Sequence, residues 1–344
     1  MGVLDHKCPS CGSPLKFNPK IQKWDCKYCN GEFTLEQLIK SNSVKEVNFN
    51  SKFSDVYNCP DCGASVVTDK YTSSTSCVYC GNVALIKAKL SNEFKPDKIL
   101  PFKIDKNDVV DIFLKQQKKN PFMPKLFNKK ENIEKITGIY VPFWLVNSKV
   151  NAKYEFLATL IREWSIRNKD YIDKSVFELK REAILEFNDI PLDGSVRFND
   201  DMMHSLEPFD FKELKDFNYA YLSGFLAEIY DSKAEDKLKG IEDVIKFSTE
   251  ELLKEKEKGY NSLAFKNKII DVNMTSAKYA LLPVWMVNVT YKNQKYLLAV
   301  NGQTGKMIGH VPLDFNKICL AFIIIAVAIY GFLVGLALWK KWFW

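Results

Sequence analysis

ICLAFIIIAVAIYGFLVGLALW, residues 318–339, is a run of 22 residues without a charge. As an α-helix it would measure roughly 33 Å at about 1.5 Å per residue, enough to cross a hydrocarbon core of about 30 Å. Lys317 precedes it, and Trp339, Lys340, Lys341, Trp342 and Trp344 close it, the aromatic and basic belt of a membrane interface. Uncharged apolar runs of this length are rare in soluble folds. The expectation is one transmembrane tail anchor, residues 317–344.

Working outward, the N-terminal MGVLDHKCPSCG has no apolar stretch of the kind found in secretory signals, so the large N-terminal part is expected in the cytoplasm. The cysteines agree. Eight of the nine lie before residue 81 in CxxC pairs, which read as metal ligands in a reducing compartment. The ninth, Cys319, falls inside the apolar run.

Cys8-Pro-Ser-Cys11-Gly12 is followed after fourteen residues by Cys26-Lys-Tyr-Cys29. Fifty-one residues on, Cys59-Pro-Asp-Cys62-Gly63 and Cys77-Val-Tyr-Cys80-Gly81 repeat the unit with the same spacing. Each pair reads as a knuckle, a tight turn that sets two thiolates on one metal edge. A glycine after the second cysteine suits the positive φ of such a turn. Two facing knuckles make a closed four-cysteine site for Zn²⁺, with no position left for water, so both ions are expected to be structural. Residues 14–17, Trp24 and residues 64–67 have the look of short ribbon strands. Units this small need a metal to fold at all.

Residues 1–88 carry ten Lys and eight acids, and two four-thiolate zinc sites at about −2 each bring the net charge to about −2. A nucleic-acid reader should carry a basic footprint, and bidentate readout favours Arg, of which the chain has four. Nucleic acid is therefore disfavoured and protein contact preferred. Residues 89–135, read as a basic linker, hold twelve Lys against seven acids. Within them residues 115–130 have six Lys and no acid, with Phe122, Met123, Leu126 and Phe127 interleaved. That pattern suits an anionic membrane surface, though an ordinary solvated loop with two prolines is the slightly preferred reading.

From residue 136 to 316 the pattern is that of an α+β domain. Ile139-Tyr-Val-Pro142-Phe-Trp144 has a partner 141 residues later in Leu281-Leu-Pro283-Val-Trp285. Around Trp285 the residues alternate as in a half-buried strand, with turns at residues 292–294 and 301–305, giving a three-stranded meander. A similar meander is expected over residues 150–187. The two tryptophans read as core anchors. Residues 199–206 and 211–217 suggest short helices, and residues 232–258 one long amphipathic helix.

His6, His204 and His310 are the only histidines and share no motif. Gly302-Gln-Thr-Gly305-Lys306 lacks the spacing of a phosphate-binding loop and fits a hairpin turn. Asp200, Asp201, Glu207 and Asp210 could hold a divalent ion, though helix capping and solvent exposure account for them as well. No catalytic constellation emerges, and no enzyme is expected.

The full fold expectation is α+β: two small four-cysteine zinc ribbons (residues 1–40 and 58–88, joined by a linker at 41–57), a mostly β domain with a long helix, then one transmembrane helix. Taken together, the twin ribbons, Gly138-Ile-Tyr-Val-Pro-Phe-Trp144, Glu207-Pro-Phe-Asp210, residues 219–231 and Asn301-Gly-Gln-Thr-Gly305 ahead of a tail anchor resemble a bacterial family. Its members are labelled zinc-ribbon proteins of the transcription-factor-IIB type, and sometimes replication-restart helicase-like. The second label lacks support here, since no ATPase motif accompanies the cysteines. The resemblance implies a single-pass protein of the bacterial cell membrane. It also implies partners among flotillin-like (SPFH) and phage-shock-protein-A-type proteins of envelope-stress systems. An adaptor is thus expected, with a membrane-tethered nucleic-acid binder as the alternative.

Overall fold

A computed structural model describes residues 8–41, 55–58, 65–68, 86–88, 96–195 and 203–342, apart from residues 14, 168, 204, 229 and 231. The protein is α+β, mostly a β-sheet domain with an apolar helix at its C-terminal end. Its spine is a pair of long antiparallel strands, numbered here in chain order: β8 (Ile133–Ile166) and β12 (Ser262–Tyr291). They pair from Ile133↔Val289 to Thr159↔Ser262. The two Pro-x-Trp segments lie side by side in this ladder, with Pro142 opposite Leu281 and Pro283 opposite Tyr140. Each indole N–H donates to a backbone carbonyl, Trp144 to Ser232 at 3.0 Å and Trp285 to Ile104 at 2.8 Å. Both are core anchors, as expected.

The middle of the spine is apolar without interruption because both its faces are covered. Ile136, Tyr140, Leu281, Trp285 and Val287 enter one core cluster, and Ile139, Val141, Phe143, Leu282, Val284 and Met286 the other. The strand around Trp285 is therefore buried on both faces rather than one. It continues into β13 (Gln294–Asn301) through a tight turn at Lys292 and Asn293, both at positive φ. Then comes β14 (Met307–Gly309), completing the expected meander.

The second expected meander is instead one hairpin. β8 runs on past residue 150 and returns from a turn at Arg167 (φ 48°) as β9 (Lys169–Asp193), paired from Ile166↔Lys169 to Phe143↔Asp193. Nothing between residues 150 and 166 breaks the strand: no proline or glycine interrupts it. In this blade the alternation is clean. Val150, Ala152, Tyr154 and Phe156 are buried, while Lys149, Lys153 and Glu155 pair with Glu186, Glu182 and Lys180 on the open face. The covered face lies under a helix at Ala234–Lys256, close to the bounds expected, which buries Ile241, Ile245 and Leu253.

The N-terminal unit contains β1 (Lys16–Asn18), β2 (Lys23–Asp25) and β3 (Glu32–Phe33), a small antiparallel sheet, followed by α1 (Leu35–Lys40). Thr34 closes the start of α1 in a capping box with Gln37. β4 (Asp55–Asn58), β5 (Ser65–Thr68) and β6 (Ile86–Ala88) form a second antiparallel set. It joins the main sheet through β5 and β11 (Leu226–Glu228), and β11 in turn lies parallel to β8.

Residues 96–135 are not a linker. β7 (Lys98–Ile99) pairs with β12, α2 (Lys106–Lys119) follows a capping box at Asp105, and Phe102, Phe113, Met123 and Phe127 are fully buried. The lysines suggested an exposed segment because they stand between these apolar anchors, and only packing shows which side chains turn inward. Residues 211–217 form a short 3-10 turn (Phe211–Glu213) and β10 (Lys215–Asp216) rather than a helix. With the preceding helices α1 and α2, the sheet-covering helix is α3, and the terminal helix α4 (Phe315–Trp342).

Candidate metal centre

The first two knuckles are built by backbone turns. Gly12 N–H donates to Cys8 O at 2.8 Å, and Asn30 N–H to Cys26 O at 2.9 Å. Both donors sit at positive φ, 73° for Gly12 and 55° for Asn30. Glycine fills that position in one knuckle and asparagine, which tolerates the same region, in the other. Cys8 N–H to Ser13 O and Cys26 N–H to Gly31 O, at 2.7 and 2.9 Å, complete two matching loops.

These loops face each other across β1 and β2. The sulfurs of Cys8, Cys11, Cys26 and Cys29 all lie within 4.8 Å of one another. Cys8 Sγ is 3.4 Å from Cys29 Sγ, and Cys11 Sγ is 3.5 Å from Cys26 Sγ. A tetrahedron with metal–sulfur bonds of about 2.3 Å has edges of about 3.8 Å, so the four atoms fit a single ion with small adjustments. The cluster could hold a metal ion. Cys8 and Cys26 are buried, Cys11 and Cys29 exposed, so the site lies at a rim rather than in the interior.

The knuckle turns also prepare the sulfurs electrically. Hydrogen bonds from the Ser13 side chain and N–H lower the Cys11 thiol to about 6. At Cys29 the Gly31 N–H works in the same direction, but the contact with Cys8, partial desolvation and contacts with Cys11 and Cys26 raise it to about 12. Four sulfurs this close cannot all ionise without a cation among them, which is the charge a bound metal would supply. With four thiolates the coordination sphere would be closed. Such a site holds structure and offers a substrate no place.

The remaining candidate ligands, Cys59, Cys62, Cys77 and Cys80, lie outside the described residues. In chain order they fall between β4 and β5 and between β5 and β6. Among the described residues, the N-terminal cluster is the one group of three or more such ligands brought together. Asp200 and Asp201 are also outside them. Asp210 caps the turn at Phe211–Glu213 by accepting from Lys212 N–H at 3.1 Å, a capping role as the sequence allowed.

The residues that seat the site were not legible as such in the sequence. Phe17 and Trp24 pack on Tyr221 with ring centroids 5.3 and 5.1 Å away, and Trp24 Nε1–H donates to Ala220 O at 2.8 Å. Lys20 reaches Asp105 and Asp108, each at 3.1 Å, and the Gln22 amide donates to Phe102 O at 2.7 Å. Cys8, Leu15, Phe17, Trp24, Cys26 and Leu38 thereby belong to the main core. One signal was available: two large aromatic residues in a unit too small to bury them alone.

Two other segments quoted above meet at a second place. Asn301 is fully buried, and its side-chain amide donates to Leu206 O and Pro208 O at 2.9 and 3.2 Å. Gln303 Oε1 accepts from Asp210 N–H at 2.8 Å, and Lys306 Nζ donates to Glu207 O at 2.6 Å. The Asn-Gly-Gln-Thr-Gly turn therefore clamps the Glu-Pro-Phe-Asp segment, an architectural use of both.

No family model matches the chain, and no solved structure matches it. Among curated proteins it is 33% identical over 322 residues to a Bacillus subtilis (strain 168) protein described as uncharacterized protein YdjG, covering 93% of each chain.

Proposed function

Since the chain belongs to one family with YdjG of Bacillus subtilis, matched almost end to end, we propose a role built on the features that run its whole length: a membrane-anchored zinc-ribbon adaptor that recruits partner proteins. The observation that carries this reading is the closed four-cysteine cluster docked on a sheet domain whose C-terminal end is a lone apolar helix. Phe315–Gly335 is long and apolar enough to span a membrane, and none of that stretch is buried against the protein. A soluble core helix would be covered; this one leaves its apolar stretch open to lipid.

In this reading Cys8, Cys11, Cys26 and Cys29 bind one structural Zn²⁺, and Cys59, Cys62, Cys77 and Cys80 a second. The large N-terminal part is cytoplasmic in a bacterial cell, and the protein catalyses nothing. Tyr28, 81% exposed between the ligands Cys26 and Cys29, offers an aromatic contact to a partner. The resemblance in sequence points to flotillin-like or phage-shock-protein-A-type partners in envelope stress.

The test is affinity purification of the full-length protein from bacterial membranes, with bound proteins, nucleic acid and metal measured on one sample. The adaptor reading expects zinc and a co-purifying cytosolic or membrane-organising protein that Tyr28→Ala depletes with zinc unchanged. Recovery of DNA or RNA with a steep salt dependence, and no protein, would replace it with the nucleic-acid alternative.

A further inference from the structure

The root of α4 is tied to a loop the chain formed almost two hundred residues earlier. Asp314 starts the helix, accepting from Asn316 N–H at 3.1 Å through its carboxylate, and its own N–H donates to Phe122 O at 2.8 Å. Lys317 Nζ donates to Pro121 O and Met123 O at 3.2 and 2.6 Å. From the other side Met123 and Phe127 are sunk in the core, Phe127 edge-on to Tyr291 and Tyr296 with centroids 5.6 and 5.3 Å away. Asn132 Nδ2 holds the carbonyls of Leu126 and Phe127 at 2.6 and 2.8 Å. The loop is thus fixed between the domain and the helix.

Part of what it leaves uncovered is apolar. Phe122 is 38% and Leu126 57% exposed, beside Leu313 and Phe315 at 55% and 77%. Exposed Lys125, Lys129 and Lys130 follow along the same loop, and Lys292 stands at the β12–β13 turn. A cleft of about 460 Å³ lies here, walled by Pro124, Tyr291, Lys292, Tyr296, Leu313 and Phe315.

We propose that this face is a second bilayer contact, in which Phe122 and Leu126 enter the headgroup boundary and the lysines meet anionic headgroups. It rests on the membrane-anchored reading. The occupant follows from chain continuity. The helix begins at Phe315 and its charge-free run at Ile318, about one turn beyond Asp314, so Asp314 stands at headgroup level, and its hydrogen bond keeps Phe122 there. Large apolar side chains ringed by lysine suit that zone, where rings and aliphatic chains bury while ammonium groups stay with phosphate. Phe127, apolar and in the same lysine-rich stretch, takes no part because it faces the core. The contact would hold the sheet domain at one attitude to the membrane instead of leaving it to swing on the helix.

The experiment places a photoreactive benzophenone side chain, one position at a time, at Phe122, Leu126, Phe322 or Ile184. The full-length chain is reconstituted in phosphatidylglycerol–phosphatidylethanolamine vesicles, and lipid adducts are measured by mass spectrometry. Phe322 lies in the span and Ile184 on the open face of the blade, both exposed. Adducts at Phe122 and Leu126 severalfold above Ile184 are expected, alongside those at Phe322. Adducts at Phe322 with Phe122 and Leu126 no higher than Ile184 overturn the second contact and leave the anchor standing. No adducts at Phe322 remove the anchor, and this proposal with it.

Discussion

Trp24 shows how one residue can serve two structures. Its ring lies in the small sheet between the knuckles, yet it is 1% exposed because the main domain covers it. Trp24→Ala should cost about 3–5 kcal/mol of packing. The loss should fall on docking rather than on the metal, since the substitution removes no ligand and Trp24 is tied to Tyr221 and Ala220. Hydrogen exchange over residues 16–25 should speed up while metal content stays constant. Cys26→Ser is the converse: it should abolish metal binding at this cluster, read by metal analysis, and loosen the same contact. Asp105 adds a pH dependence. Burial opposes its carboxylate, but the Asp108 N–H and the Lys20 ammonium prevail and hold its pKa below the ordinary 3.8. A depressed pKa contributes stability that is complete above the unfolded value and is lost as pH falls through the folded one. Exchange protection of the N-terminal unit should therefore weaken with acid below about pH 4, and Asp105→Asn should remove that component. Metal release must be followed in parallel, because acid also protonates thiolates.

Among the elements, α3 is the helix that lies on the blade formed by β8, β9 and β12. It covers one face of the blade through Ile241, Ile245 and Leu253, whereas Val244 and Phe247 on its other side are 57% and 65% exposed. Hydrophobicity alone does not rank these residues; position does. Ile245→Ala should destabilise by about 2–5 kcal/mol, and Phe247→Ala should stay within about 0.5 kcal/mol. Thermal melting of both variants checks the pair, and similar losses would mean that α3 sits differently on the sheet. Beyond Thr159 the blade loses β12 and narrows to the β8–β9 hairpin, where Trp164 stacks on Tyr171 at 5.7 Å. Two strands alone are marginal in water. Deleting residues 161–173 with a short turn in their place should leave the melting of the body unchanged.

At the scale of the whole molecule, β8 links the two ends. It begins at Ile133, next to the loop that holds the root of α4, and ends at the hairpin turn, up to about 110 Å of strand at about 3.3 Å per residue. Ending the chain after Lys317 keeps the hydrogen bonds to Pro121 and Met123 and removes a helix of which no residue in the apolar window is buried. The shortened protein should leave the membrane fraction with its melting temperature unaltered. Persistent sedimentation with membranes would mean that the remaining face binds lipid strongly by itself.

How far the sequence reached is set by the range of each interaction. The knuckles, the apolar span, the turns at residues 292–294 and 301–305 and the long helix of residues 234–256 depend on neighbours a few residues away, and spacing, φ preference and periodicity expose them directly. The likeness of the two Pro-x-Trp segments is plain in the sequence, but that they lie side by side, and in which register, is not. What only the tertiary structure decided is which apolar residues find cover. Phe127 turns inward and Leu126 outward from adjacent positions in one lysine-rich loop. Trp24 is buried by residues almost two hundred positions away, and β8 runs straight through where a second meander was expected. Burial is a property of what packs on top, and in this chain the covering element comes from far along the sequence.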